Sequence, residues 1–261
     1  MRLFARNLLV CGALALLPLT VNSADSTAGV AESVAAYQLQ YQDGTPDFSA
    51  IKNSEDRKRA FVAYLLPSYQ AVATDILSQR KQLEKLKIQL EDGIDLSHGQ
   101  EMWLFDLAEQ YDVDKASNLS QTIDKLLVRV DILPPELVLS QAATESGWGT
   151  SRLARKRNNY FGHFCASCNK VPYRSGVNHA KSFDSAEFAV RAYMQNLNTH
   201  PAYQKVRDIR ATMRANEKPM DAVALAKGLR SYSTLGDGYV RKIQGMIRTN
   251  KAYWPENVAK N

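Results

Sequence analysis

Beyond its first residues the chain lacks any long apolar run, and its mean hydropathy is −0.34. The sequence therefore predicts a soluble body with no membrane span after the leader. It lacks a phosphate cradle of the GxxxxGK[ST] kind, and no internal repeat is present. Cysteine is scarce, at three in 261 residues. Cys11 falls in the leader, which leaves Cys165 and Cys168 in "CASC". A zinc site there needs further ligands, and only His163 and His179 lie nearby. A redox CxxC opens a helix in a βαβ context, whereas these surroundings are turn-like. In an oxidising compartment the expectation is a small loop disulfide, Cys165–Cys168.

The leader itself is readable. Arg2 and Arg6 form a basic start, Leu8 to Leu19 an apolar stretch, and Val21-Asn22-Ser23 a small-residue cleavage region. Pro18 interrupts the stretch, and Val10 is too bulky before Cys11 for a lipoprotein signal. Residues 1–23 are thus expected to be a signal peptide, which places the mature chain in the periplasm. The net charge of +6 is unevenly spread. Residues 24–118 carry nine Lys/Arg against sixteen Asp/Glu, and residues 201–261 carry twelve against five. Such a basic C-terminal region suits an anionic polymer. Export argues against nucleic acid and for cell-wall glycan as that polymer.

Residues 24–50 read as loosely docked, and from Ser54 the pattern is helical. Ser54 is expected to cap this first helix, and Pro67 to break or restart it. Val72, Ile76, Leu83, Leu86 and Leu90 continue the stripe, and a further helix is predicted over 100–110. No catalytic constellation lies in these residues, which read as a helical brace with an acidic surface open to a protein partner. A helix capped near Ser120 follows, then one opened by Pro134-Pro135. Periodicity fails between about Phe161 and Phe183, where a small β-hairpin lobe is expected. Helices resume at "DSAEFAVRAYMQNL", "PAYQKVRDIRATMRA", "DAVALAKGL" and "GYVRKIQGMIRTN". The class is mainly α.

Within "QAATESGWGTSRLARKRNNYFG", Glu145 shares a helical face with Val138, Gln141 and Ala142. It lies in the last turn, before the helix-ending Gly147. That placement predicts a partly desolvated acid beside unpaired carbonyls, both of which disfavour its charge. Such an acid suits protonation of a glycosidic oxygen. A structural glutamate paired with Arg152 or Arg155 is the alternative that the residues leave open.

"LSQAATESGWGTSRLA", "NNYFG", "SFDSAEFAVRAYMQNL" and "YSTLGDGYVRKI" together resemble the bacterial glucosaminidase family of peptidoglycan-cleaving endo-β-N-acetylglucosaminidases. The resemblance covers roughly 119–250. It implies a lysozyme-like helical domain over 119–254 with a small β-hairpin lobe, preceded by a helical extension over 24–118. It implies cleavage of the β-1,4 bond after N-acetylglucosamine in peptidoglycan glycan strands, without metal or organic cofactor. Glu145 matches the family's catalytic glutamate, and Tyr232 aligns with a tyrosine beside that acid. Tyr239, Trp148, Asn159 and Phe161 match positions that shape the groove, Tyr239 by packing. One departure stands out: "NKVPYRSGVNHAK" holds no Asp or Glu. Asp184 and Glu187 are the nearest acids, yet "DSAE" reads as a capping box. A lytic transglycosylase and a non-catalytic wall-binding scaffold remain the alternative functions.

Overall fold

The computed structural model describes residues 41–42, 45–114, 118–164 and 180–255. The leader, both "CASC" cysteines and most of the expected hairpin lobe lie outside the described residues. Among the described residues the chain is mainly α, as its periodicities predict. Its helices are α1 (Ser54–Glu91), α2 (His98–Gln110), α3 (Leu119–Arg129), α4 (Pro135–Ser146) and α5 (Arg152–Arg157). They continue with α6 (Ala186–Thr199), α7 (Gln204–Ala215), α8 (Ala222–Leu225) and α9 (Asp237–Thr249). The short strands β1 (Tyr41–Gln42) and β2 (Thr45–Pro46) pair antiparallel. At the foot of the expected lobe, Phe164 and Ala180 form one antiparallel bridge.

Helix α1 runs unbroken for 38 residues through Pro67. Proline gives up one backbone hydrogen bond. The helix continues because Phe61, Leu65, Tyr69 and Val72, on both sides of it, stay on one buried stripe. Its cap is Asn53, whose side chain accepts from the Glu55 and Asp56 amides, so Ser54 is its first residue. The α3 cap is likewise Asn118, two residues before the expected Ser120. Segment 45–50 is firmly docked rather than loose, since Phe48 is fully buried and packs edge-on against Phe61. "DAVALAKGL" forms only the one-turn α8 before a 3-10 stretch over Ala226–Tyr232.

One core spans extension and C-terminal region, joining Phe61 and Leu65 of α1 to Leu137 and Val138 of α4 and Ile243 of α9. Polar ties reinforce it. Tyr69 donates to the Leu133 carbonyl at 2.8 Å, and Arg80 donates to the Leu127 carbonyl at 2.7 Å. Beyond α3 sits a buried ionic hub at Asp131. Arg214 grips its carboxylate through Nε at 2.9 Å and Nη2 at 2.8 Å. The fully buried Arg210 donates to the Val128, Arg129, Asp131 and Ile132 carbonyls and to Asn198. An arginine from α7 thereby satisfies the orphan carbonyls that end α3. Burial pushes the Asp131 carboxyl up, but the Arg214 hydrogen bonds and the Arg210 and Arg80 charges outweigh it and hold it below the usual carboxylate range.

Candidate active site

Helix α4 is the central rod of the molecule. Leu137, Val138, Leu139, Ala142 and Ala143 are buried, so it is covered on nearly every side. Pro135 opens it at the first position, and Gly147 closes it in the left-handed region at φ 58°. The Trp148 amide returns to the Ala143 carbonyl at 2.9 Å. Ser146 Oγ donates to the Ala142 carbonyl and accepts from the Gly149 amide. Glu145 therefore projects from a rigid, capped end.

Its surroundings differ from the expected ones. Glu145 is exposed, so it is less covered than its helical face predicts. The stripe it shares with Val138 and Ala142 leaves the core at the last turn, where the chain bends away at Gly147. The alternative pairing with Arg152 or Arg155 is not formed: Arg155 meets Asp47 at 3.5 Å, and Arg152 is exposed. What holds Glu145 is a phenol. Tyr239, in the first turn of α9, donates from its hydroxyl to Glu145 Oε1 at 2.7 Å. Burial, and then the Glu145 charge, push the Tyr239 pKa far above its usual range, so it remains a neutral donor. Gln141 Nε2 donates to that same hydroxyl at 3.0 Å. Tyr193, on α6, donates to Gln141 Oε1. Gly162, with φ +70°, lies beside the other carboxylate oxygen, Oε2. A Cβ there would stand 3.8 Å from Oε2, so a longer side chain would cover the acid.

Tyr232 occupies a neighbouring role. Its ring stacks on Tyr239 with centroids 5.3 Å apart, but its hydroxyl donates to the Phe161 carbonyl at 3.0 Å. The phenol bonded to the acid is thus that of Tyr239, and Tyr232 holds the loop beside it. Of the three other groove candidates, Asn159 and Phe161 turn inward and Trp148 is half-buried. Asn159 is buried and donates to the His163 and Lys181 carbonyls while accepting from the His163 amide, which ties the chain at His163 to the chain at Lys181. Phe161 is buried and stacks on Tyr193 at 4.2 Å. Trp148 stacks on Trp254 at 5.9 Å and meets Phe61 edge-on. Each side chain is spent on packing or loop bonding, since the "NNYFG" turn needs anchors on its inner side. His163 is neutral at ordinary pH, because burial, and then the Lys181 charge, hold it down to about 4.

No capping box forms at "DSAE": Ser185 caps α6 by accepting from the Phe188 amide, and Asp184 is exposed. Glu187 pairs with Arg191 at 2.9 Å, which also meets Asp75 of α1 at 2.6 Å. Neither acid is placed as a partner to Glu145 by these contacts. A concavity of about 710 Å³ lies beside Glu136, Arg248 and Trp254. Glu136 and Glu145 are nine residues apart, about half a turn out of phase, so that hollow opens on the other side of the helix. Sequence reasoning missed Gln141 and Tyr193. The signal for Gln141 was available, a polar side chain one turn before the acid on an otherwise apolar face.

Residues 120–252 match the family described as mannosyl-glycoprotein endo-beta-N-acetylglucosaminidase. The chain is 35% identical over 209 residues to Protein bax of Escherichia coli (strain K12), a match that covers 79% of this chain and 74% of that protein. No solved structure matches. The match takes in α3 to α9 with the Glu145–Tyr239 pair, and by it the chain belongs to the glucosaminidase family of glycosidases.

Proposed function

We propose that the chain is an exported peptidoglycan hydrolase that cuts the β-1,4 bond after N-acetylglucosamine, with Glu145 as its general acid. One observation carries the reading. An exposed carboxylate at the end of a buried helix has one oxygen tied to a neutral phenol and the other beside a glycine. Family membership supplies the substrate class. Glu145 gives its proton to the leaving glycosidic oxygen as the bond to the anomeric carbon breaks. Among the described residues Glu187 is paired with Arg191 and no contact joins Asp184 or Glu187 to Glu145, so the reading assigns no second carboxylate. Substrate assistance fits instead: the oxygen of the 2-acetamido group bonds to the anomeric carbon as the leaving group departs. Water then opens that ring, and Glu145 recovers the proton. Tyr239 keeps the carboxylate oriented through both steps.

The export signal, a periplasmic location and the Cys165–Cys168 clip complete the proposal. Alkylation of unreduced exported protein should leave both thiols unlabelled, and labelling of both would remove the clip. Digestion of purified wall followed by mass spectrometry tests the reaction. Reducing-end N-acetylglucosamine supports the hydrolase, and 1,6-anhydro-muramic acid termini replace it with a transglycosylase.

A further inference from the structure

Two buried polar side chains have no task in a simple general-acid scheme. Gln141 and Tyr193 are fully buried, on α4 and α6. An amide in a core is costly unless its hydrogen bonds are made, and an apolar residue would fill the same space at less risk. Here the bonds are made, and they run in one direction. The Tyr193 hydroxyl donates to Gln141 Oε1, Gln141 Nε2 donates to the Tyr239 hydroxyl, and Tyr239 donates to Glu145 Oε1.

Resting on the general-acid reading above, we infer that Tyr193 and Gln141 are positioning residues that place the transferable proton on Glu145 Oε2. The physical steps are these. Tyr193 has one proton, and the Gln141 carbonyl is its acceptor, which fixes the face of the amide. The amide N–H then occupies a lone pair of the Tyr239 oxygen, so the Tyr239 proton points away from Gln141 and toward Glu145 Oε1. In a neutral carboxylic acid the carbonyl oxygen is the better acceptor, so a bond donated to Oε1 favours the tautomer with its proton on the other oxygen. The proton is left to Oε2, the oxygen beside Gly162. Were the amide reversed, its carbonyl would draw the Tyr239 proton inward. Tyr239 would then accept from Glu145, and the acid's proton would face the core. A buried chain of this kind also polarises its terminal donor.

The test uses the full chain with Tyr193→Phe, Tyr239→Phe and the double variant. Tyr193→Phe keeps the ring that stacks on Phe161 and removes only the hydroxyl. Its kcat on wall glycan should fall about tenfold with KM unchanged, the scale of other orienting partners. In the Tyr239→Phe background the same change should cost nothing further. An equal loss in both backgrounds would show a packing role and overturn the inference. A readout free of turnover separates this from the hydrolase reading. In tyrosine-labelled protein the Tyr239 hydroxyl proton should give a slowly exchanging resonance that moves in Tyr193→Phe. A resonance unmoved by Tyr193→Phe overturns the inference whatever the activity. A resonance that moves in Tyr193→Phe, where the wild-type protein shows no turnover, supports the chain of bonds and removes the hydrolase reading.

Discussion

Tyr232 and Tyr239 lie face to face, 5.3 Å apart and 9° from parallel, yet only Tyr239 reaches Glu145. Tyr232 turns its hydroxyl to the Phe161 carbonyl, on the loop that carries Gly162. Stacking couples the two rings, and their hydroxyls divide the labour between acid and loop. Tyr239→Phe should therefore lower kcat by roughly 10- to 100-fold with a small change in KM, since it frees the acid. Tyr232→Phe should act mainly through the loop, raising KM more than it lowers kcat. Steady-state kinetics on one purified glycan fraction separates the two, and the reverse pattern would return the acid's partner to Tyr232.

The Asp131 hub sets a pH limit on stability. Asp131 titrates below its ordinary 3.8 in the folded chain. A depressed carboxyl contributes stability that is present above its unfolded value and is lost as pH falls through the lower folded one. Unfolding should thus gain a steep acid limb below about pH 4. Asp131→Asn should flatten that limb and cost about 3–5 kcal/mol near neutrality, because Arg210 stays buried with its nearest charge removed. Urea titrations at several pH values check both expectations.

Gly149 tests the docking of segment 45–50. A Cβ there would stand 2.2 Å from the Phe48 ring, and its φ of +78° disfavours any L side chain. Gly149→Ala should cost about 2–4 kcal/mol from overlap and backbone strain. Thermal melting of the folded variant gives the value. A neutral result would mean that Phe48 does not sit under the Glu145 turn.

Much of the fold was legible because the helices announce themselves by period and cap. Pro135 and Gly147 mark both ends of α4, and the "GYVRKIQGMIRTN" pattern marks α9. Pro67 misled, because a proline's local cost is visible in sequence while the tertiary stripe that outweighs it is not. The site was legible in part. Glu145 stood out by position, but its exposure depends on where α9 and the Gly162 loop pass, which no local pattern states. The exchange between Tyr232 and Tyr239 has the same origin: with seven residues and one turn between them, local pattern does not say which ring meets the acid. Trp148, Asn159 and Phe161 carried a strong motif signal, but a motif does not say whether a side chain faces outward or anchors its own loop.

The extension gives a further outcome. Helix α1 shares one core with α4 and α9, so a chain truncated to begin at Lys115 should fail to fold rather than fold weakly. Removing α1 strips apolar cover from Leu137 and Val138, at about 25 cal/mol for each Å² exposed. Circular dichroism of the purified fragment decides. A cooperative helical melt would show that the extension is only a brace.

The central claim is that Glu145 delivers the proton. The most direct measurement is turnover of purified wall by Glu145→Gln beside wild type, with products read by mass spectrometry and wall binding by co-sedimentation. The glutamine keeps the shape and still accepts from Tyr239, but carries no acidic proton. The account predicts a folded protein that binds wall, a rate lower by roughly 10² or more, and wild-type products that end in N-acetylglucosamine. An undiminished rate in a Glu145→Gln protein shown by intact mass to be free of deamidation would contradict it.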